Sequence, residues 1–463
     1  MQYDLIIIGS GPGGYVAAIR ASQLKMKVAV IEKAELGGVC LNWGCIPTKS
    51  LLKSATVYNY MKHPADYGIS IDGEVNADMK KVTERSREVA GNMSKGVRYL
   101  LKKNKIEHIE GFAKIAGKNS VEVNDGDNST KTVTASHIIV ATGSRSRELP
   151  NLKQDGEKII GYREAMTLDK LPESMIVVGS GAIGSEFAWF YASMGTKVTL
   201  VEYMPYIVPL EDVEISSQLG RSFKKMGISI MTGSTVDSAE ITGNICKAKV
   251  KTKKGEEIIE AEIILSAVGI TPNTENIGLQ EVGVEMDGGL VKVDEFYRTS
   301  IEGVYAIGDI VKGQALAHVA SAEGIICVEK IGGLNPEPLK YNNMPACTYT
   351  NPEVASVGIT EQVAKEQGLD IKVGKFPFTA SGKASAAGEK DGFVKLIFDS
   401  KYGELLGAHM IGANVTEMIA EIVVAKNLET TAHEIIKSVH PHPTMSEAIM
   451  EAAAAAYGEV IHL

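Results

Sequence analysis

The same sequence pattern occurs twice in this chain, and this repeat limits the possible folds more than any other feature. Residues 4–32 read DLIIIGSGPGGYVAAIRASQLKMKVAVIE, and they align without a gap with residues 174–202, SMIVVGSGAIGSEFAWFYASMGTKVTLVE. Each copy has a β-branched segment, a glycine-rich turn, a stretch with small residues and a second β-branched segment that ends in glutamate. This order predicts two strand–helix–strand units and therefore an α/β fold.

The first glycine turn has the spacing of a dinucleotide-binding loop. Gly9, Gly11 and Gly14 form G-x-G-x-x-G directly after a predicted strand. The first glycine permits the tight turn, the second lets the backbone approach a pyrophosphate, and the third lets helix and strand pack closely. Glu32 closes the second strand, where a carboxylate can accept hydrogen bonds from ribose hydroxyls. The alternative is a glycine-rich turn that holds no ligand.

The second glycine turn predicts a second dinucleotide. Gly179, Gly181 and Gly184 repeat the spacing, and Glu202 stands in the place of Glu32. Two dinucleotides in one chain suggest a flavin and a nicotinamide. A carboxylate repels a 2′-phosphate, and the following segment YMPYIVP has no basic residue, so we predict NAD rather than NADP. The alternative is that Glu202 is only a solvated strand end.

The five cysteines are too few and too scattered for a structural disulfide framework. Cys40 and Cys45 lie close together in GGVCLNWGCIPTKSLL and can form a small-loop disulfide if the backbone permits. Near a helix N-terminus a cysteine gains thiolate character, which thiol–disulfide exchange requires. Lys49 follows and can stabilise negative charge on a reduced flavin. The alternative is two unrelated buried cysteines, and we assign no function to Cys246, Cys327 or Cys347.

Charge and hydropathy exclude several classes of protein. The net charge of −9 argues against a nucleic-acid partner, because an acidic surface repels phosphate backbones. The first residues, MQYDLIIIGSGPGG, show no basic leader, and the longest apolar runs are broken by glycine well short of a membrane span. We therefore expect a cytoplasmic protein with no membrane span, and we predict no metal site.

Outside the repeat, the sequence predicts several further elements. A helix is expected near residues 78–103, and the segments SVEVND and TVTASHIIVATGS are typical of strands. The composition changes from about Tyr341 onward. There we expect antiparallel strands in CTYTNPEVASVGIT and FVKLIFD, helices around Glu361 and Thr416, and a helix over the tail EAIMEAAAAAYGEVIHL.

Three motifs together resemble one family. GGVCLNWGCIPTK is similar to the active-site signature of the class I pyridine nucleotide–disulfide oxidoreductases, GVYAIGD to their second flavin motif, and HPHPTMSE to their C-terminal signature. The resemblance covers essentially the whole chain in the right order. It implies an α/β protein with two Rossmann-like dinucleotide-binding domains, for FAD and NAD, plus a C-terminal α+β dimerisation domain. The implied segments are 1–147 (FAD), 148–271 (NAD), 272–340 (central, completing the FAD domain) and 341–463 (dimerisation).

The resemblance also implies a general acid/base near the C-terminus. By this likeness, His442 exchanges protons with a substrate thiol, and Glu447 orients it. In the family this histidine serves the cysteines of the other subunit, so a homodimer is expected. Thr444 to Glu447 also reads T-x-x-E, so Glu447 can cap the last helix as well as, or instead of, orienting His442. His440 has no assigned function and can be supporting structure.

Further site residues are implied only by the resemblance. Asp309 is similar to the residue that holds the flavin ribityl chain, and Glu186 to the partner of Lys49 near the flavin–nicotinamide contact. Other family positions that line FAD fall on Gly111, Gly143 and Ala317, and those that line NAD fall on Val236 and Gly269. The alternative for each is turn geometry or a solvated charge.

Within this family, the chain resembles the members that oxidise dihydrolipoamide with NAD⁺. Relatives that reduce glutathione disulfide carry basic residues in place of Glu202, mercuric reductases add a C-terminal cysteine pair, and some transhydrogenases lack the first cysteine. One departure is Ile270, where many relatives carry a basic residue. The implied partners are a lipoyl-bearing acyltransferase of a 2-oxo acid dehydrogenase complex, or a glycine-cleavage carrier protein. The alternatives are a glutathione reductase-like enzyme and a mainly structural complex subunit.

Overall fold

The computed structural model describes residues 2–126 and 129–463. Met1, Asp127 and Asn128 of the predicted segment 1–147 lie outside the described residues. The chain divides into two compact units. Unit 1 comprises residues 1–50, 81–147 and 270–341, and unit 2 comprises residues 51–80, 148–269 and 342–463. Residues 51–80, which we expected with the first FAD-binding segment, group with unit 2; the four-domain division remains a prediction.

The described residues form α-helices along the length of the chain. They are α1 (Pro12–Gln23), α2 (Gly38–Asn42), α3 (Cys45–Lys62), α4 (Met79–Lys103), α5 (Tyr162–Ala165), α6 (Ala182–Met194), α7 (Val213–Lys225), α8 (Ala317–Ile331), α9 (Glu361–Glu366), α10 (Gly382–Ala387), α11 (Val415–Asn427), α12 (Ala432–Lys437) and α13 (Glu447–Ala455). Within the part of the chain that the structure describes, none of them is both long and apolar enough to cross a membrane.

The strands are mostly short. They are β1 (Tyr3–Ile8), β2 (Val28–Glu32), β3 (Glu107–Glu110), β4 (Phe112–Gly117), β5 (Ser120–Asn124), β6 (Thr130–Val140), β7 (Ser144–Ser146), β8 (Ile159–Ile160), β9 (Ser174–Val178), β10 (Lys197–Glu202), β11 (Ser229–Thr232), β12 (Thr235–Thr242), β13 (Ile245–Thr252), β14 (Gly255–Ala261), β15 (Ile263–Ser266), β16 (Ile270–Pro272), β17 (Met286–Asp287), β18 (Leu290–Val291), β19 (Val304–Ala306), β20 (Ala346–Thr348), β21 (Glu353–Gly358), β22 (Ile371–Pro377), β23 (Phe393–Asp399) and β24 (Leu405–Gly412).

Unit 1 is built on a parallel sheet with the strand order β3-β2-β1-β6-β19. Strand β6 is long, and its first half pairs antiparallel with β5, which pairs in turn with β4. The run Leu5–Ile8 in β1 is buried, as expected for a strand covered on both faces. Helix α1 packs against α8 through buried small residues of α1, among them Ala17, Ala18 and Ala21.

Unit 2 contains the second copy of the repeat. Its parallel sheet has the order β11-β10-β9-β15-β8, so β9, β10 and β11 occupy the positions that β1, β2 and β3 occupy in unit 1. Helix α6 connects β9 to β10, as α1 connects β1 to β2. The expectation of two strand–helix–strand units from the repeat is therefore confirmed.

The C-terminal part of unit 2 is an antiparallel sheet with the order β20-β21-β24-β23-β22. Helices α11 and α13 pack on this sheet, and their apolar residues share one core with it. Gly374 of β22 lets α13 approach closely, because a Cβ there would lie 1.8 Å from the carbonyl oxygen of Ala452. The expected α/β class, with two Rossmann-like units and a C-terminal α+β part, is confirmed.

Most predicted element positions agree with the structure, but the tail differs. The helix expected near residues 78–103 is α4, and α9 and α11 lie where helices were expected around Glu361 and Thr416. The last helix ends at Ala455, although we expected helix over the whole tail. Gly458 has φ +73°, and the amide of Glu459 turns back to the carbonyl of Ala454, which is how a glycine ends a helix.

Candidate active site

The first glycine turn leaves no room for side chains except at its middle position. A Cβ on Gly9 would lie 2.3 Å from the Ala141 carbonyl oxygen, and one on Gly14 would lie 2.0 Å from the Gly9 carbonyl oxygen. Gly9 also has φ +101°, which favours glycine. By contrast, a Cβ on Gly11 would meet only the Gly38 Cα, at 4.0 Å. Two glycines thus serve strand–helix packing, while the middle one leaves the N-terminal end of α1 open to a ligand.

The second glycine turn has the same geometry. A Cβ on Gly179 would lie 2.4 Å from the Ala267 carbonyl oxygen, and one on Gly184 would lie 1.9 Å from the Gly179 carbonyl oxygen. A Cβ on Gly181 would meet no other described part of the chain within 4 Å. The residues at both turns therefore fit the pyrophosphate of a dinucleotide, which needs open space beside backbone N–H groups at a helix N-terminus.

Each glutamate that ends a repeat also braces its glycine turn. Glu32 Oε2 accepts hydrogen bonds from the amide and the hydroxyl of Ser10, at 2.9 and 2.8 Å, and Glu202 Oε2 accepts the same pair from Ser180, at 2.7 and 2.6 Å. Neither serine was predicted from the sequence, although the repeated G-S-G would have identified both.

The two glutamates differ in the number of acceptor positions that remain. Glu32 Oε1 accepts the amides of Lys33 and Ala34, at 2.8 and 3.1 Å, whereas among the described residues Glu202 Oε1 accepts one amide, that of Met204, at 2.7 Å. A carboxylate has about four lone-pair positions, so Glu202 has one left that a ribose hydroxyl could use, whereas all four positions of Glu32 accept protein donors.

The predicted redox cysteines meet at the break between two helices. Cys40 lies in α2, and Cys45 begins α3. A hydrogen bond from the Cys40 thiol to Cys45, together with burial, raises the pKa of Cys40, while Lys49 acts in the opposite direction. Asn42 fixes α2 by donating to the Leu36 and Gly38 carbonyls, at 2.9 and 3.0 Å. The structure therefore brings Cys40, Cys45 and Lys49 together in unit 1.

Asp309 lies in a buried turn of unit 1. The Ser144 hydroxyl donates to Asp309 Oδ2 at 2.6 Å, and burial raises the pKa of Asp309. The amide of Gly308 donates to Glu323 Oε2 at 2.6 Å, and burial raises the pKa of Glu323 to about 7. Sequence reasoning missed Ser144 and Glu323, because neither lies in the motif that contains Asp309. Ala317 is the first residue of α8, which carries Glu323.

The remaining predicted cofactor positions lie in turns and in the core. Gly111, Gly143 and Gly269 have φ values of +143°, +67° and +110°, which favour glycine at each position. The Val236 side chain is buried in the core of unit 2. Glu186 is buried in α6 and accepts the Tyr349 amide at 3.0 Å. Its pairing with Lys49 would join the two units and remains a prediction.

The C-terminal motif holds two histidine–glutamate pairs. His442 Nδ1 lies 2.9 Å from Glu447 Oε1, and the His442 side chain is 77% exposed. His440 is almost fully buried, with Nε2 at 2.8 Å from Glu421 Oε1 and Nδ1 at 2.9 Å from the Ser438 carbonyl oxygen. Both of these neighbours are acceptors only, so His440 satisfies them best as an imidazolium. The hydrogen bond to Glu421 accordingly raises the pKa of His440.

Glu447 contacts His442 and also binds the backbone, but it does not form the complete expected capping box. Its Oε2 accepts the Thr444 amide at 2.8 Å, which is half of that motif. The Thr444 hydroxyl donates instead to the Pro441 carbonyl, and α13 begins at Glu447 with Ser446 as N-cap. Although burial acts to raise it, the bonds from Thr444 and His442 lower the pKa of Glu447.

Comparisons with known proteins agree with this architecture. Residues 3–324 match the pyridine nucleotide-disulphide oxidoreductase family, and residues 344–453 match its dimerisation domain. The chain is 51% identical to the dihydrolipoyl dehydrogenase of Rhizobium etli and 48% identical to that of Zymomonas mobilis, with 100% of this chain and 99% of each relative covered. The crystal structure of LpdA from Mycobacterium tuberculosis superposes with a TM-score of 0.91 at 28% identity, over 97% of this chain and 98% of that one. The chain belongs to the pyridine nucleotide-disulphide oxidoreductase family.

Proposed function

We propose that this chain oxidises dihydrolipoamide, as protein-bound dihydrolipoyl groups, to lipoamide and reduces NAD⁺ to NADH. One observation carries the proposal: Cys40 and Cys45 lie within hydrogen-bonding contact of each other at a helix break that follows the first glycine turn. The relatives from Rhizobium etli and Zymomonas mobilis, aligned over nearly their whole length, are named for this activity. In the resting enzyme the two cysteines form a disulfide.

The chemistry at the cysteines is thiol–disulfide exchange. A substrate thiolate attacks the sulfur of Cys40, the Cys40–Cys45 bond breaks, and Cys45 leaves as a thiolate. The second substrate thiolate attacks the substrate sulfur that is bound to Cys40, so the cyclic disulfide product leaves and Cys40 takes up a proton. The substrate loses two electrons and the cysteine pair gains them. The hydrogen bond from the Cys40 thiol to Cys45 suits this product state, because it stabilises negative charge on Cys45.

His442 supplies the base for this exchange. Its Nδ1–H donates to Glu447, which leaves the Nε2 lone pair free to accept the proton of a substrate thiol. The Glu447 carboxylate then stabilises the imidazolium that forms. In the homodimer that we propose from the dimerisation domain, His442 of one subunit acts at Cys40 and Cys45 of the other.

We assign FAD to the first repeat and NAD to the second. The FAD site comprises the first turn with Glu32, Asp309 and their neighbours Lys49, Gly111, Gly143 and Ala317. The NAD site comprises the second turn with Glu202, Glu186, Val236 and Gly269. Bound FAD supplies the two-electron route from the reduced cysteines to NAD⁺ as hydride. The chain's own residues bind and orient both groups.

The physiological substrate is a lipoyl group on another protein, either an acyltransferase of a 2-oxo acid dehydrogenase complex or a glycine-cleavage carrier. The exposed position of His442 in the single chain fits a histidine that acts at the cysteines of the other subunit. We also propose that the protein is cytoplasmic.

The first test compares two substrate pairs on the purified protein. We expect NADH formation from NAD⁺ and dihydrolipoamide, with a flavin absorption spectrum, and little oxidation of NADPH by glutathione disulfide. Activity only with NADPH and glutathione disulfide would assign the chain to the other branch of the family. A protein with no flavin and no activity would support a structural subunit.

Cys45→Ser tests the role of the cysteine pair. We expect this variant to lose dihydrolipoamide oxidation and to keep its FAD. The control is Cys246→Ser, at a buried cysteine of unit 2. Wild-type turnover in Cys45→Ser would refute the proposed chemistry.

A further inference from the structure

Three consecutive residues of α4 contact the segment that carries the redox cysteines. Ser86 is fully buried, and its hydroxyl donates to the Pro47 carbonyl at 2.9 Å. Arg85 Nη1 donates to the carbonyl and the hydroxyl of Ser50, at 3.0 and 2.7 Å. Both contacts hold the first turns of α3, the helix that Cys45 begins. All of these residues belong to unit 1.

The third contact falls between the two cysteines. Trp43 lies in the break between α2 and α3, and the Arg87 guanidinium carbon lies 4.1 Å from the centre of the indole ring. Within the described residues, Arg87 Nη1 is buried and has no hydrogen-bond acceptor, and burial lowers the pKa of this guanidinium. A half-buried cation needs a compensating partner, and a desolvated cation–π contact supplies one.

We propose that Arg87 is a positioning residue for the redox pair, which acts by stacking on Trp43 and so fixes Cys40 relative to Cys45. The inference rests on the proposed function only in taking these two cysteines as the redox couple. We call the contacts of Arg85, Ser86 and Arg87 with residues 43–50 the α4 clamp.

The reason for a clamp is the geometry of disulfide formation. Two thiols in contact must close to an S–S bond of about 2.05 Å, with Cα atoms about 4.4–6.8 Å apart. Cys40 is fixed by α2 and Cys45 by α3, so the path through Trp43 sets their separation. When the chain between Cys40 and Cys45 is restrained, the dithiol state has less conformational entropy. Less entropy is then lost when the disulfide forms. The clamp therefore favours the disulfide.

Restraint by Arg87 and a purely electrostatic effect of its charge predict opposite shifts of the dithiol–disulfide equilibrium when Arg87 is replaced. If Arg87 acts by restraint, its loss frees the dithiol form and makes the pair easier to reduce. If Arg87 acted by its charge, its loss would remove a cation near a thiolate, and the dithiol form would become less favourable. The sign of the change therefore identifies the mechanism.

The test measures the dithiol–disulfide equilibrium of the flavin-loaded protein in dithiothreitol buffers of known redox ratio, read by acid quenching, alkylation and mass spectrometry. For Arg87→Met we expect a shift of about threefold to tenfold toward the dithiol, where tenfold corresponds to about 30 mV for this two-electron couple. Arg87→Lys keeps the charge without the planar stacking face, so it should shift in the same direction. Trp43→Phe keeps a ring face and should shift less than Trp43→Leu.

The matched control is Arg98→Met on the same helix, at an exposed arginine whose nearest carboxylate, on Glu110, lies 3.7 Å away. It should leave the equilibrium unchanged, and thermal unfolding identifies any variant that fails to fold. No shift in Arg87→Met, or a shift toward the disulfide that Arg87→Lys restores, would overturn the inference. A wild-type protein whose cysteines do not cycle in these buffers would instead refute the proposed function, so the two failures are distinguishable.

Discussion

At the scale of single residues, we infer two functions for the carboxylate of the glutamate that ends each repeat. Glu202 is buried, and three hydrogen bonds from Ser180 and Met204 hold it against its glycine turn. The remaining lone pair of Glu202 suggests that this residue selects the coenzyme. A fixed carboxylate can accept a hydrogen bond from a ribose hydroxyl, but it repels a 2′-phosphate.

Glu202→Gln should therefore weaken the preference for NAD over NADP. A hydrogen bond to a charged group contributes about 1.5–3 kcal/mol, so we expect the ratio of kcat/KM for NAD⁺ to that for NADP⁺ to fall by about 10- to 100-fold. The control is Glu32→Gln, the equivalent change in the first repeat, which should affect FAD retention and leave the coenzyme ratio unchanged. An unchanged ratio in Glu202→Gln would show that other residues discriminate the coenzymes.

His440 should make stability depend on pH. Its pKa is raised in the folded protein by the hydrogen bond to Glu421, and Glu447 adds to this effect. A raised pKa contributes stability that is fully present below the unfolded value of about 6.5 and is lost as pH rises through the folded value.

We expect the free energy of unfolding of the wild type to fall, relative to that of His440→Gln, as pH rises above about 6.5. The measurement is denaturant unfolding of both proteins at one protein concentration across this pH range. Parallel pH profiles for the two proteins would mean that His440 does not carry the charge. Glu421→Gln should reduce the same pH dependence.

At the scale of elements, the two glycine turns show which glycines serve the fold and which serve the ligand. Gly184→Ala should prevent correct packing of α6 on its strand, because the new methyl would lie 1.9 Å from a carbonyl oxygen. Gly181→Ala meets no described atom within 4 Å, so the protein should fold normally but bind NAD⁺ more weakly.

The comparison needs thermal unfolding together with the KM for NAD⁺. Gly11→Ala is the control for Gly181→Ala, since it should affect FAD binding and leave the KM for NAD⁺ unchanged. Equal unfolding temperatures for Gly181→Ala and Gly184→Ala would contradict this division of roles.

The positions of helices and strands could be predicted from the sequence where they depend on neighbouring residues. The repeat and the helix near residues 78–103 follow from periodicity and from glycine spacing, which depend on neighbouring residues only. The end of α13 was not predicted, because the alanine run before it strongly favours helix and carries no stop signal of its own. The left-handed conformation of that glycine ends the helix instead.

At the scale of the whole molecule, a buried lysine joins two distant segments of unit 2. Lys395 of β23 is fully buried and lies 3.0 Å from Asp212, 2.8 Å from Glu214 and 2.6 Å from Glu361. Asp212 is also the N-cap of α7, where its side chain accepts the amide of Glu214. This cluster connects the segment that carries the second repeat to the C-terminal sheet.

Lys395→Met should strongly destabilise the protein, because it leaves the fully buried carboxylate of Asp212 without the lysine that pairs with it. Breaking a buried ion pair costs about 3–5 kcal/mol, whereas an exposed pair contributes less than about 1 kcal/mol. The control is Lys375→Met on the neighbouring strand, since Lys375 is 41% exposed and pairs with the same Glu214 at 2.7 Å. Denaturant midpoints measure the difference, and an equal loss in both variants would contradict a special role for Lys395.

The sequence by itself determined the two strand–helix–strand units, both dinucleotide turns, the cysteine pair and the family, because these signals lie in short contiguous motifs. It did not determine which distant side chains complete each site. Ser144 at Asp309, Arg87 at Trp43 and Lys395 at Asp212 become neighbours only when separate elements pack; the last pair is 183 residues apart in the chain. Periodicity records which face of an element is buried, but the partner on that face is decided by tertiary packing.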